Sequence, residues 1–193
     1  MNRLVIVPDE KLEPLAQILK ARLSAVADEV KSEHFAGLMS DQCRRVLLGF
    51  VRYRKEQELL LWGCSDGAFR VAWTSLPPES EVLNIVTATL DEGLPARVRA
   101  SGQPAMQTAD ELQASAWTNL EERRGRALES LVASPLFLFD KCVAVLSLAR
   151  YRTEDEPLAP PQTDLAELAE MTQLLARLLE DRLVRSCLGL ESL

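Results

Sequence analysis

Hydrophobic residues recur at spacings of three and four near both ends of the chain, and between the ends they alternate or run together. A spacing of three and four places side chains on one face of a helix, whereas short runs of apolar and β-branched residues are typical of strands. The first pattern predicts helices over residues 9–33, from about 40 to 53, and from about 164 to 186. Each of these helices carries an apolar stripe that must pack against another surface.

Polar residues and a proline indicate where these helices begin. Pro14 favours a start of the first helix close to residue 13, because proline is tolerated in the first turn and not in the interior. Ser40 or Asp41 is the expected N-cap of the second helix. Asp164 and Glu167 resemble a capping box and predict the start of the last helix.

Two β-hairpins are predicted between the helices. The first joins residues 58–64 to 68–75 through Ser65-Asp66-Gly67, a strong signal for a tight turn. The second joins 131–139 to 142–151 at Asp140-Lys141, and its apolar content is almost continuous, which indicates a hairpin covered on both faces. In the first hairpin the second strand has its large apolar residues at every other position, namely Phe69, Val71 and Trp73.

The order of these elements predicts the fold class. A short helix over 94–101, a short strand over 105–108 and a polar, helix-prone segment over 109–127 lie between the two hairpins. Helices and strands do not alternate strictly, so a parallel, doubly wound sheet is not expected. The sequence therefore predicts an α+β fold, with an antiparallel sheet of about five to six strands, helices on its faces, and long N- and C-terminal helices.

Composition and charge narrow the range of functions. The chain has 193 residues, 47% of them hydrophobic, and a net charge of −7. This composition predicts a folded domain, and its excess of acidic residues argues against a protein that binds nucleic acids or anionic membranes. The start of the chain does not resemble a secretory signal, and no apolar run approaches the length of a membrane span. Four cysteines, at 43, 64, 142 and 187, form no CxxC pair, so we expect reduced thiols and a cytoplasmic protein.

Few residues are suited to catalysis or to cofactor binding. His34 is the one histidine, so a metal site built from several histidines is excluded, and we expect it to be a capping or surface residue. We expect no serine–histidine pair, because His34 precedes Ser130 and Ser134 by about a hundred residues and lies in a different kind of element. The glycines form no phosphate-binding loop. We therefore expect no metal, no cofactor and no catalytic residue. The exception left open is a redox pair of Cys64 and Cys142, which requires their Cα atoms to lie within about 7 Å.

The stretch from residue 91 to 151 contains Asp91-Glu92-Gly93, Gly102-Gln103-Pro104 and Ser134-Pro135-Leu136 in that order, and on these motifs it resembles a GAF domain. The family pattern of an acidic-glycine step, a short helix and a second glycine before proline is matched by 91–98 and 100–104. The pattern's later part, a strand containing Pro-Leu, a turn and a final apolar strand, is matched by 130–136, Asp140-Lys141 and 143–148. The final hairpin has Ala144 where the family usually has glycine. The signature of the cyclic-nucleotide-binding members and the clustered cysteines of the methionine-sulfoxide-reducing members are absent.

The resemblance implies a division of the chain into three parts. Residues 1–34 would be an N-terminal helical extension, 35–161 the GAF-like domain, and 162–193 a C-terminal helix that completes the domain and a dimer bundle. In this family the ligand pocket lies between one face of the sheet and the short helices that cover it. The residues that would line this pocket are Trp62, Phe69, Trp73, Met106, Trp117, Ser130 and Ser134. The competing interpretation is that these residues only pack in the core.

The terminal helices are the second candidate for a functional surface. In proteins that resemble this one, such helices pair across a two-fold axis, and the last helix has a wider apolar face than one contact needs. The same stripes could pack on the chain's own sheet. The candidate interface residues are Leu12, Leu15, Leu19, Leu23, Leu168, Leu175 and Leu179.

Three functions remain open at this point. The first is a non-catalytic sensory or regulatory domain that binds or responds to a small molecule and signals, as a homodimer, to a separate output protein. The second is a scaffold or interaction protein whose pocket is closed. The third is a redox enzyme that uses Cys64 or Cys142.

Overall fold

The computed structural model describes residues 12–54, 57–77, 86–89, 93–108, 111, 121–122, 124–152 and 161–189. A 3₁₀ turn, Ser32–His34, follows the first helix. The helices and strands of the described residues are, in chain order, α1 (Glu13–Asp28), α2 (Phe35–Leu38), α3 (Asp41–Val51), β1 (Gln57–Ser65), β2 (Ala68–Thr74), β3 (Val86–Thr89), α4 (Gly93–Ser101), β4 (Ala105–Thr108), β5 (Leu128–Leu138), β6 (Lys141–Tyr151) and α5 (Pro161–Cys187).

The strands form one six-stranded sheet in the order β3-β2-β1-β6-β5-β4, and every neighbouring pair is antiparallel. The two hairpins lie side by side, so that β1 and β6 are the central strands. The prediction of an α+β fold with an antiparallel sheet of five to six strands is therefore confirmed.

Both hairpins turn through residues with positive φ. Asp66 and Gly67 have φ of 51° and 74°, the geometry that an Asp-Gly turn favours, as predicted. The second turn lies at Phe139 and Asp140, with φ of 47° and 69°, one residue earlier than predicted. Lys141 pairs with Leu138 across the hairpin and so belongs to β6 rather than to the turn.

Apolar side chains cover the sheet on both sides. On the first, which we call the α5 side, α1, α2, α3 and α5 contribute to one core, and on the second, the α4 side, α4 contributes to another. β1 supplies both cores alternately, with Leu59 and Leu61 on the α5 side and Leu60 and Trp62 on the α4 side. This alternation is what the two-residue period of a strand requires.

The helix boundaries agree with the sequence at some ends and differ at others. Ser40 caps α3 as predicted, since the Cys43 backbone N–H donates to its Oγ at 3.2 Å. The first helix is shorter than the predicted 9–33: it begins at Glu13, with Pro14 in its first turn, and ends at Asp28, while residues 9–11 lie outside the described part.

No helix within the described ranges is long and apolar enough to cross a membrane.

The 3₁₀ turn after α1 is held against the sheet at a point of close contact. A Cβ atom added to Gly63 of β1 would lie 2.6 Å from the Cα of Ser32 and 3.0 Å from its Cβ. Only glycine lets the backbones approach this closely without displacement. Ser32 is buried there, so Gly63 fixes how the segment after α1 docks on β1.

Candidate functional site

The α4 side of the sheet carries large aromatic residues in its core. Trp62 and Phe69 are completely buried. The Trp62 Nε1–H donates to Ser147 Oγ at 2.7 Å, so the indole and a hydroxyl on the neighbouring strand satisfy each other inside the core. Among the described residues, this core is filled by side chains of the sheet and of α4.

A buried carboxylate lies on the same side of the sheet. Glu58, at the start of β1, is fully buried and accepts hydrogen bonds from three side chains. Tyr151 Oη donates to it at 2.6 Å, and Arg124 donates from Nη2 at 2.6 Å and from Nε at 3.2 Å. Thr74 Oγ1 is the third donor. The carboxylate charge is therefore compensated by one guanidinium and two hydroxyls.

This cluster is built for positioning rather than for proton transfer. Both oxygens of Glu58 are engaged, and Arg124 also donates to the backbone carbonyls of Leu76, at 2.9 Å, and Pro77, at 3.3 Å. Burial, and then the neighbouring charge of Glu58, raise the pKa of Tyr151 well above its usual range, so the phenol stays a neutral donor. Arg124 thus fixes its own segment to β1 and to the chain that follows β2.

Two buried acceptor atoms near this region are left without a partner. Gln107 Oε1 on β4 and Glu129 Oε2 on β5 have no hydrogen-bond partner among the described residues. Gln107 pairs with Leu131, whose side chain belongs to the core of the α4 side, so the two residues project from the same face. Buried polar atoms are normally paired, and an unpaired acceptor indicates a place for a donor.

Asp164 belongs to a second buried network, on the α5 side. The sequence predicts it as the N-cap of the last helix, and that prediction is wrong, because α5 begins at Pro161. The Asp164 carboxylate instead accepts from Arg54 Nη1 at 2.6 Å and from Arg150 Nη2. Arg54 also bonds Glu167 and stacks 4.5 Å above the ring of Phe50. The network joins the segment after α3, the end of β6 and the start of α5.

The four thiols are free, and two of them line one cavity. Cys64 and Cys142 lie on a cavity of about 200 Å³ together with Arg99. Burial raises the pKa of both thiols, that of Cys142 to about 11, and Arg99 acts in the opposite direction on each. Cys43 is buried in the core of the α5 side. Within the described ranges, no group of three His, Cys, Asp or Glu side chains is placed to hold a metal ion.

His34 is a surface and capping residue, as expected. It is exposed, and its Nδ1 accepts from the backbone N–H of Lys31 at 3.0 Å. It also lines an open groove of about 550 Å³, which runs between the end of α1, α2 and the end of α5. Val26 and Leu183 supply part of the apolar wall of this groove.

The structure separates the predicted pocket residues. Trp62 and Phe69 belong to the core of the α4 side, whereas Trp73 belongs to the core of the α5 side and Met106 packs against it. The described side chains therefore form no single pocket that these four residues line. Ser130 and Ser134 are buried, and Ser134 lies beside α5 on a cavity of about 240 Å³. Trp117 lies outside the described residues.

A β-bulge explains why Trp73 leaves the face of Phe69. The ladder between β1 and β2 pairs Trp62 with Val71 and Leu61 with Trp73, so Ala72 is an extra residue. A bulge inserts one residue without a partner and reverses the alternation of faces beyond it.

The predicted interface residues also divide into two groups. Leu168, Leu175 and Leu179 are completely buried in the core of the α5 side, and Leu23 is nearly so. These four pack within the chain itself and are not available to a second copy. Leu12 and Leu15 are exposed, and Leu19 is half-buried.

Several residues of these sites were not singled out in the sequence. Glu58 and Tyr151 are polar residues at the ends of two apolar strands. A charged residue at the start of such a strand indicates a buried polar site, so Glu58 could have been identified from the sequence. Arg99, Arg124 and Gln107 carry no comparable signal, since their partners lie far away in sequence.

Comparison with known proteins shows the fold. No family model matches the sequence, and no curated protein matches it. The GAF domain of a two-component sensor histidine kinase from Bacillus halodurans aligns with a TM-score of 0.54 and 18% identity, covering 74% of this chain and 95% of that one. The GAF domain of a phosphoenolpyruvate-protein phosphotransferase from Coxiella burnetii aligns with a TM-score of 0.53 and 13% identity, covering 90% and 95%.

An enzyme shares the same fold. The free methionine-R-sulfoxide reductase of Neisseria meningitidis, solved in complex with its substrate, aligns with a TM-score of 0.52 and 15% identity. The alignment covers 97% of this chain and 99% of that one. At these identities, the matches establish the architecture of the chain and not its activity.

Proposed function

Starting from a GAF-like fold, we propose that the chain is a non-catalytic sensory or regulatory domain. It binds or responds to a small molecule, forms a homodimer through its N-terminal helix, and signals to a separate partner protein. Its cytoplasmic location and the division at residues 34 and 161 stay predictions.

The exposed apolar surface of α1 is the observation that carries this proposal. Every residue from 12 to 18 is exposed, and among them Leu12, Leu15 and Ile18 are 57%, 62% and 54% exposed. A helical segment of two turns is marginal in water when it packs against nothing. Contiguous exposed apolar side chains of this size are typical of an interaction surface. A second copy supplies an identical stripe, and closed two-fold pairing is the commonest form of association.

The interface that we propose is therefore the first half of α1 and not the buried leucines of α5. Leu12, Leu15 and Leu19 remain members of it, and Ile18 joins them. Val26 is 39% exposed and continues the apolar surface toward the groove beside α5. This arrangement leaves Leu168, Leu175 and Leu179 to hold α5 on the sheet.

The α4 side of the sheet is where we place the response to a small molecule. Supporting this, Gln107 Oε1 is a buried acceptor on this side that has no hydrogen-bond partner within the described part of the chain, and Glu129 Oε2 on β5 is a second such acceptor. A ligand with hydrogen-bond donors, such as an amine or an amide, would satisfy them. Glu58, Arg124 and Tyr151 would form a fixed polar wall near it, since each of them is held by the others.

A ligand-free scaffold is the second candidate. The observation that favours it is that Trp62 and Phe69 are completely buried and pack within the core of the α4 side. A cysteine-based redox enzyme is supported less well, because burial raises the pKa of Cys64 and Cys142 and so lowers the fraction of reactive thiolate at neutral pH.

Native mass spectrometry of the full chain, purified from its own host, tests the proposal. We expect a dimer that carries a small-molecule adduct. The variant Gln107→Leu should lose the adduct and keep the dimer, whereas the control Gln103→Leu, at an exposed glutamine, should keep both. A dimer without an adduct in every preparation would favour the scaffold, and a monomer would contradict the proposal.

A further inference from the structure

Two cysteines on neighbouring strands lie at the same end of the sheet. Gly63 of β1 pairs with Ala144 of β6, so continuing this register places Cys64 opposite Val143, one residue from Cys142. With strands about 4.8 Å apart and a rise of about 3.4 Å per residue, Cα atoms offset by one position are roughly 6 Å apart. This separation is within the range of roughly 4.4–6.8 Å that disulfides require.

A bulge directs the two side chains to a common space. In a regular ladder the side chains of Cys64 and Cys142 would project from opposite faces, because faces alternate along a strand. The ladder between β5 and β6, however, pairs Leu136 with Ala144 and Phe137 with Cys142, which makes Val143 an extra residue. A bulge redirects the side chains beside it. Accordingly, both cysteines line the same cavity of about 200 Å³.

The cavity also holds a cation that favours thiolate formation. Arg99, from α4, lines it together with both cysteines, and its positive charge lowers the pKa of each thiol. The cavity is bordered by Ala27 and Lys31 around the end of α1. Of the other thiols, Cys43 is buried and Cys187 is exposed on α5. The guanidinium and the shared cavity distinguish Cys64 and Cys142 from both of these.

We propose that Cys64 and Cys142 are a redox-sensitive pair that closes to an intramolecular disulfide when the protein meets a hydroperoxide. The inference is independent of the proposed dimer and of any small-molecule ligand. It describes a stoichiometric modification of the protein and not a catalytic turnover.

The chemistry balances with hydrogen peroxide as the oxidant. The Cys64 thiolate attacks one peroxide oxygen, the O–O bond breaks, and the departing hydroxide takes up the proton that Cys64 lost, giving water and a Cys64 sulfenic acid. The sulfur of Cys142 then attacks the Cys64 sulfur and the S–O bond breaks. The second hydroxide takes the proton of Cys142. Two thiols are oxidised by two electrons in total, and one peroxide is reduced to two waters.

The environment also predicts the pH dependence of the reaction. Burial raises the pKa of Cys64, and the nearby Arg99 partly opposes that rise. Oxidation is therefore slow near pH 7, and its rate rises about tenfold per pH unit as long as the pH stays below the pKa of the attacking thiol.

The test uses the full-length protein and hydrogen peroxide at a small molar excess at pH 8, followed by alkylation and non-reducing peptide mapping. We expect a peptide that joins Cys64 to Cys142, a loss of 2 Da in intact mass, and two remaining alkylatable thiols. Cys187→Ala should leave the crosslink unchanged, and Cys64→Ser and Cys142→Ser should each abolish it. Arg99→Gln should slow its formation several-fold, whereas Arg97→Gln, at an exposed arginine of the same helix, should not.

Other products would overturn the proposal. A disulfide that involves Cys187, sulfinic acids on Cys64 and Cys142 without a crosslink, or four alkylatable thiols after treatment would each contradict it. A crosslink that forms equally fast in the Arg99→Gln variant would contradict the assigned role of the guanidinium.

Discussion

The contact between Gly63 and Ser32 makes a prediction about how α1 is held on the domain. Replacing Gly63 by alanine places a Cβ atom 2.6 Å from the Ser32 Cα, where carbon atoms in contact are normally about 3.5–4.0 Å apart. One backbone must therefore move by about 1 Å, since this difference cannot be relieved by a side-chain rotation. Overpacking of this kind costs about 1–3 kcal/mol.

The lower conformational entropy of alanine offsets part of that cost, by about 0.5–1 kcal/mol. We therefore expect Gly63→Ala to lower the free energy of unfolding by about 0.5–2 kcal/mol. Gly49→Ala is the matched control, because its Cβ would meet nothing within 4 Å in α3. That change should stabilise the protein by about 0.5–1 kcal/mol.

Urea unfolding followed by circular dichroism measures both variants, and hydrogen exchange of the amides at 29–38 reports the docking locally. In the Gly63→Ala variant we expect these amides to exchange faster than in the wild type. A Gly63→Ala protein as stable as the wild type, with unchanged protection of this segment, would refute the argument that the contact fixes α1 on the sheet.

The buried cluster of Glu58 makes two further predictions. Glu58→Gln removes the negative charge that compensates Arg124, whose side chain is 7% exposed, and should lower the free energy of unfolding in urea by about 3–5 kcal/mol. The exposed control Glu170→Gln should stay within about 0.5 kcal/mol of the wild type. Equal stability of Glu58→Gln and the wild type would contradict this prediction. Tyr151 has a raised pKa in the folded state, so the unfolded state releases that proton first, and stability should fall as the pH rises above about 10. The Tyr151→Phe variant should lose the part of this decrease in stability that is due to Tyr151 and keep the part that is due to the thiols. Parallel pH profiles of stability for the wild type and Tyr151→Phe would contradict the assignment of the decrease to Tyr151.

Local patterns in the sequence were sufficient for both hairpins and for the long helices on either side of them. Asp66-Gly67 specifies its turn through φ alone, and Ser40 caps α3 through a hydrogen bond three residues away. The strand that runs nearly unbroken in apolar residues up to Ala149 is buried on both faces, as its composition predicts. Each of these features depends on neighbours in the chain.

The assignment of side chains to one face or the other could not be read in the same way. The bulge at Ala72 moves Trp73 to the opposite side from Phe69, and a bulge is set by the partner strand rather than by the strand's own sequence. Asp164 looks like a helix cap locally, but Arg54 is 110 residues away in sequence. Likewise, the apolar stripe of α5 does not reveal that Leu168 and Leu175 are buried in the chain's own core.

The mass of the protein in solution tests the central claim, association through α1, most directly. Light scattering at tens of micromolar should give twice the chain mass of 21.5 kDa. The variant Leu15→Arg/Ile18→Arg, which places charges on the exposed stripe, should give a single chain mass with an unchanged circular dichroism spectrum. The matched control Gln17→Arg/Arg22→Ala changes exposed polar positions of the same helix and should remain a dimer. A wild-type protein that is monomeric at this concentration, or a Leu15→Arg/Ile18→Arg variant that is still a dimer, would contradict the account.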